Sequence, residues 1–235
     1  MQTNLSVPIW AKEIDVVLFD LDGTLIDTDD QAVMWLARFM LPLARFLPVV
    51  PDSMARRLLM RAETPGNRLI ALFDRLDLDD NVFAIGDTLR RWRGLHPRPN
   101  LPLMDSASHI LNTLSARYRL GIVTTRGRRD AEAFLIQHSL APLFDVVVTR
   151  ESTRRLKPHP APVRMAAETL GVPPDRCLMV GDTIPDVLSA RAAGTWMVAT
   201  LSGFGERHEL ERAGAHAIIQ SVAHLGEILP LDNLP

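Results

Sequence analysis

Residues 15–24 read Asp15-Val16-Val17-Leu18-Phe19-Asp20-Leu21-Asp22-Gly23-Thr24. Val16 to Phe19 form an unbroken apolar run that ends on a carboxylate and soon meets a glycine. An apolar run without alternation predicts a strand buried on both faces, as in a parallel sheet. Comparable short runs recur at residues 120–124, 145–148, 177–181, 196–200 and 217–219. Between them, residues 128–139, 160–170 and 184–193 carry apolar positions at helical spacing. The last two of these segments stop at Gly171 and Gly194, where a helix end favours glycine. Strand alternating with helix predicts an α/β fold with a parallel sheet and right-handed crossovers.

One stretch interrupts the alternation. From about Asp27 to Pro102 the periodicity is helical, with no convincing strand. Candidate helices cover residues 31–47, 53–62, 68–76 and 81–95. The run Pro97-Arg98-Pro99-Asn100-Leu101-Pro102 reads as a stiff return linker. The expected organisation is an α/β core made of residues 1–27 and 102–235, with an all-helical domain at 28–101 inserted after the first strand.

Bulk properties narrow the partners. The chain has 235 residues, 47% of them hydrophobic, enough to bury a sizeable core. A net charge of -2 points to neither a nucleic acid nor an acidic membrane surface as the partner. The single cysteine, Cys177, allows no intrachain disulfide and fits a reducing, cytoplasmic setting. It lies in an apolar run and reads as a buried core thiol. Residues 1–9 do not resemble a signal peptide, and no apolar stretch is long enough to span a membrane.

In open α/β sheets ligands bind beyond the carboxyl ends of the strands. The polar residues expected there are Asp20, Asp22 and Thr24 after the first strand, Thr124 and Thr125 after the second, and Lys157 after the third. The fourth strand delivers Asp182 and Asp186. Four carboxylates converging on one point require a cation, and an all-oxygen donor set favours a hard ion such as Mg2+. The lysine and hydroxyls would then face an anionic substrate. Gly23 would permit a tight turn that sets Asp20 and Asp22 on either side of one reacting centre.

The ordered set Asp20-Leu21-Asp22-Gly23-Thr24, Thr124, Lys157-Pro158 and Gly181-Asp182-Thr183-Ile184-Pro185-Asp186 resembles the four motifs of the haloacid dehalogenase-like hydrolase superfamily. The insert after the first motif is similar to the cap of its phosphoglycolate phosphatase and β-phosphoglucomutase branch. The resemblance implies a Rossmann-like sheet with the first strand central and a helical cap closing over it. It implies Asp20 as a nucleophile forming an aspartyl-phosphate, and Asp22 as the acid and then the base. Magnesium would be held by Asp20, Asp182 and the backbone carbonyl of Asp22, with Asp186 in support. Thr124 would bind the phosphoryl group, and Lys157 would hold nucleophile and phosphate together. Asp22 favours phosphoryl transfer from oxygen, because the dehalogenases of the superfamily lack a second aspartate. The expected activity is a magnesium-dependent phosphatase acting on a small phosphorylated metabolite. A phosphomutase with the same intermediate is the alternative, and an idle binding module on this fold ranks below both.

Plainer readings stand beside these. Asp186 also fits the first-turn charge of a helix, and Thr124 a helix cap. Thr125 is expected to point away from the site. Gly23, Thr24, Thr125 and Arg126 are candidate substrate contacts, although the order Thr124-Thr125-Arg126 departs from the family pattern and a solvated arginine is the simpler reading. Arg68, in a turn of the insert, is a candidate contact to a second polar or anionic group. Arg150, Arg154 and Arg155 form a basic cluster leading to Lys157. Monomer and homodimer remain equally open.

Overall fold

The computed structural model describes residues 8–27 and 101–231. Six strands run through them: β1 (Val16–Phe19), β2 (Arg119–Val123), β3 (Val146–Val148), β4 (Cys177–Gly181), β5 (Trp196–Thr200) and β6 (Ala217–Ile219). The helices are α1 (Ala107–Ser115), α2 (Arg128–Gln137), α3 (Ala161–Leu170), α4 (Ile184–Ala193) and α5 (Arg207–Ala213). All strand pairs are parallel, in the order β3-β2-β1-β4-β5-β6. The expected α/β fold with a Rossmann-like sheet and a central first strand is therefore present.

The unbroken apolar runs follow from burial on two faces. Val17, Phe19, Leu120, Ile122, Leu178 and Val180 pack with Ile110, Leu111 and Leu114 of α1 and with Phe134 and Leu135 of α2. Their neighbours Val16, Leu18, Val123, Cys177 and Met179 turn to the other face, against Val163 and Ala166 of α3, Val187 of α4 and Leu210 of α5. Side chains alternate along a strand, so a strand covered on both sides must be apolar throughout. Each fully buried large side chain, such as Leu18 or Phe19, stabilises the fold by about 1.5–3 kcal/mol.

This topology fixes where the chemistry lies. Connections run one way from β1 through β2 to β3 and the other way through β4 to β6, so the order reverses at β1. Phe19 lies beside Ile122 on one side and Val180 on the other. The residues just past these positions emerge side by side in the crevice at the switch point, where such sheets bind ligands.

The chain leaves this edge and returns to it at one place. Asp27 donates its backbone N–H to Pro102 at 3.0 Å, Met104 donates to Leu25 at 2.8 Å, and Ile26 bridges Leu103 antiparallel. The helices expected within 28–101, and Arg68 with them, lie outside the described residues. Among the described residues, no helix is long and apolar enough to cross a membrane. Cys177 is fully buried, and burial pushes its thiol up to about 12, with Asp15 and Asp175 adding to the effect.

Candidate active site

Asp20 continues the β1 ladder by donating its N–H to Val180, so its side chain starts from a rigid base. The side chain is buried, and Oδ1 lies 2.9 Å from Lys157 Nζ. Lys157 reaches in from the loop after β3, ahead of a cis peptide to Pro158. Its ammonium also donates to Asp186 Oδ1 at 2.6 Å and to the Val123 carbonyl at 2.9 Å. All three of its protons are thus used by two strand-end groups and the first turn of α4.

Asp182 follows β4 and is fully buried. Thr24 donates its hydroxyl to Asp182 Oδ1 at 3.1 Å, and the Phe204 N–H donates to Oδ2 at 2.8 Å. Gly23 has φ 72°, and a Cβ there would overlap the Asp182 carboxylate. Gly203 approaches the same carboxylate so closely that any side chain would collide with it. Ser202 adds a hydrogen bond to the Gly23 carbonyl at 3.0 Å. The β5 loop and the turn after β1 therefore close around Asp182 from both sides.

Asp186 does two jobs. Thr183 caps α4, and its N–H and hydroxyl reach Asp186 Oδ2 at 3.0 and 2.6 Å, completing a capping box. The other oxygen holds Lys157. The helix-start reading of Asp186 is realised together with its place in the cluster. One carboxylate oxygen from each of Asp20, Asp182 and Asp186 lies within 4.8 Å of the others.

Three buried carboxylates face a single lysine. Burial pushes Asp20 up to about 7 against the pull of Lys157, with Asp186 and Asp22 adding to the rise. Asp182 is held well above the usual carboxylate range by burial, then by Asp186 and Asp20, despite its bonds from Phe204 and Thr24. Burial alone would lower Lys157, but Asp186 and Asp20 outweigh it and raise the ammonium above its ordinary value. The charge left uncompensated, and the all-oxygen donor set, fit a hard divalent cation such as Mg2+. Asp20 and Asp182 could hold the ion, while Asp186 is tied to the Lys157 ammonium and to the start of α4.

The model of the family described as haloacid dehalogenase-like hydrolase matches residues 17–200. The chain belongs to that family. Among its relatives, the pyrophosphatase PpaX of Bacillus pumilus is 34% identical over 186 residues, covering 77% of this chain and 81% of the relative. The PpaX pyrophosphatase of Bacillus mycoides is 29% identical over 227 residues, covering 94% and 99%. In fold, the chain is similar to a haloacid dehalogenase-like family hydrolase from Streptococcus pneumoniae, with a TM-score of 0.66 at 23% identity over 91% of this chain and 97% of the other.

Within this haloacid dehalogenase-like hydrolase, Asp20, Asp182 and Asp186 cluster, Lys157 pairs with Asp20 and Asp186, and Thr124 follows directly on β2. Thr124 is buried, and its hydroxyl oxygen accepts the Arg126 N–H at 3.1 Å. Thr125 is exposed. Thr24 was a candidate substrate contact, and its hydroxyl faces Asp182. Asp22, expected in a converging set of four carboxylates, pairs with Arg126, and the close cluster among the described residues holds only Asp20, Asp182 and Asp186. Arg126 is accordingly paired, not solvated as its simpler reading had it. Sequence reasoning missed Ser202, Gly203 and Phe204; the signal was the Ser202-Gly203-Phe204-Gly205 run directly after an apolar strand.

Proposed function

We propose that the protein is a magnesium-dependent phosphohydrolase whose nucleophile is the Asp20 carboxylate. The observation that carries this reading is Asp20 itself: a buried carboxylate at the sheet switch point, 2.9 Å from Lys157 and clustered with Asp182 and Asp186. Burial raises Asp20 to about 7 while Lys157 pulls the other way, so charge on this carboxylate is under-compensated and a cation or a transferable phosphoryl group is its natural partner.

Asp20 attacks phosphorus in line with the departing oxygen, forming an aspartyl-phosphate as the old P–O bond breaks. Asp22 gives its proton to the departing oxygen. It then takes a proton from the water that attacks phosphorus, which frees inorganic phosphate and restores Asp20. Thr124 offers its hydroxyl proton to a phosphoryl oxygen, since its own oxygen already accepts from Arg126. Lys157 lowers the repulsion between nucleophile and phosphate. Asp20, Asp182 and the carbonyl of Asp22 would hold magnesium, which when bound would supply positive charge to offset the carboxylates and the phosphoryl oxygens. Residues 28–101 are assigned as the cap closing over the crevice, in keeping with departure and return at Asp27 and Pro102.

The substrate reading is a small molecule carrying a terminal phosphoryl group. The naming of two relatives as pyrophosphatases adds inorganic pyrophosphate to the phosphate monoesters as a specific possibility. Phosphate release from phosphoglycolate, sugar monophosphates, nucleotides and inorganic pyrophosphate, with magnesium and then with chelator, tests the proposal. Release from at least one of them, abolished by chelator and by Asp20→Asn, is expected. Turnover that survives either treatment would overturn it.

A further inference from the structure

Residue 126 joins three neighbouring strand ends. Its guanidinium grips Asp22, after β1, through Nε to Oδ2 at 2.7 Å and Nη2 to Oδ1 at 2.5 Å. Its N–H donates to Thr124 Oγ1, after β2, at 3.1 Å. Its carbonyl accepts the Arg150 N–H, after β3, at 3.2 Å. The next residues anchor the same loop, because Arg128 donates its N–H to Glu151 at 3.0 Å. The two side chains are only 22% and 31% exposed.

A part-exposed ion pair adds little to stability. Its geometry is another matter. A planar guanidinium that meets both oxygens of a carboxylate fixes that group's rotation as well as its place. A lysine at this position would offer a point charge and no fork. Asp22 needs such control. It stands on a turn and must come within hydrogen-bond reach of the departing oxygen. An error of about an ångström in such a contact is costly.

We infer that Arg126 is the positioning residue for the acid–base step, with its fork setting the Asp22 carboxylate beside the departing oxygen. For the acid step the Asp22 oxygen that carries the proton leaves the fork and turns to the substrate, while the other oxygen keeps an Arg126 N–H. The backbone of the same residue occupies an acceptor site on Thr124 Oγ1, so the Thr124 proton is left for the phosphoryl group. Proton donor and phosphoryl clamp are thereby set by one residue. This inference rests on the assignment of Asp22 as acid and base.

The test compares leaving groups. An alkyl phosphate needs a proton on its departing oxygen, whereas p-nitrophenyl phosphate barely does. Asp22→Asn should lose about 100-fold or more in kcat on the alkyl ester and far less on the aryl ester. Arg126→Met should lose about tenfold on the alkyl ester, with KM nearly constant and little loss on the aryl ester. The double variant should be no slower than Asp22→Asn alone, because both changes remove one function. Arg126→Lys, which keeps the charge without the fork, should fall between Arg126→Met and the parent on the alkyl ester, and it carries the test if Arg126→Met does not fold. Equal losses on both esters, a loss confined to KM, or a loss that multiplies with Asp22→Asn would overturn the role of Arg126. Failure of Asp22→Asn itself to discriminate between the esters would instead strike the acid assignment.

Discussion

Replacing Lys157 with methionine probes the charge balance on which the site depends. Methionine matches the lysine stem in length and removes the ammonium. The change leaves Asp20 and Asp186 without the cation at 2.9 and 2.6 Å, and the Val123 carbonyl without its donor. Breaking a buried ion pair by removing one partner costs about 3–5 kcal/mol. The orphaned carbonyl adds about 1 kcal/mol or more, and relief from burying an ammonium works in the opposite direction. Taking about 3–5 kcal/mol as the net, Tm of the metal-free protein should fall by roughly 6–20 °C. The sign of the pH dependence follows from Asp20, whose folded-state value is already raised to about 7 and rises further without Lys157. A carboxyl group raised on folding favours the native state while it is protonated, and that advantage is lost as pH climbs through its folded-state value. The deficit should therefore be smaller near pH 5 and larger near pH 8, still growing as pH climbs toward the variant's higher Asp20 value. Thermal unfolding of both proteins in chelator at the two pH values measures it. A Tm at pH 8 indistinguishable from the parent, or an equal deficit at both pH values, would refute the reasoning.

The same titrations govern the unmodified protein. Asp20 and Asp182 both lie above their ordinary values, so metal-free protein should lose stability as pH rises from about 4 toward 7. Magnesium should raise Tm more at pH 8 than at pH 5, because ligands that bind it must shed protons; an equal or smaller rise at pH 8 would contradict this. Gly203→Ala places a methyl group against the Asp182 carboxylate and should weaken magnesium binding by tenfold or so, by analogy with other changes to groups that hold a metal ligand. A magnesium titration followed by Tm reports it without any substrate, and unchanged affinity in a folded variant would show that Gly203 does not set the Asp182 position.

Much of the core was legible because its signals are local. Strands covered on both faces must be apolar throughout, so the runs at residues 177–181, 196–200 and 217–219 coincide with β4, β5 and β6. Helices that stop at glycine are equally plain, and α4 spans Ile184–Ala193 as its spacing predicts. α1 and α5 were not anticipated, although Ile110, Leu111 and Leu114 carry the three-and-four spacing of a buried helix face. Their segments are short and follow turns, where few apolar positions are available to establish a period. At the site, the strand-end acids and Lys157 were readable because topology brings adjacent strand ends together. The partners of those groups were not. Nothing local says that Thr24 and the Phe204 N–H both serve Asp182, that Asp186 caps its helix while holding Lys157, or that Arg126 grips Asp22 across 104 positions of chain. Such pairings are set by tertiary packing, which a periodic pattern does not encode.

The central claim is that phosphorus passes through a covalent bond to Asp20, and that bond can be caught. Enzyme quenched during steady turnover, reduced with borohydride and digested should yield a peptide in which the Asp20 side chain has become the alcohol, since acyl phosphates are reduced and free carboxylates are not. The account predicts this conversion at Asp20, dependent on substrate and absent when magnesium is chelated. Brisk turnover with Asp20 unmodified, or reduction at a different acidic residue, would contradict it.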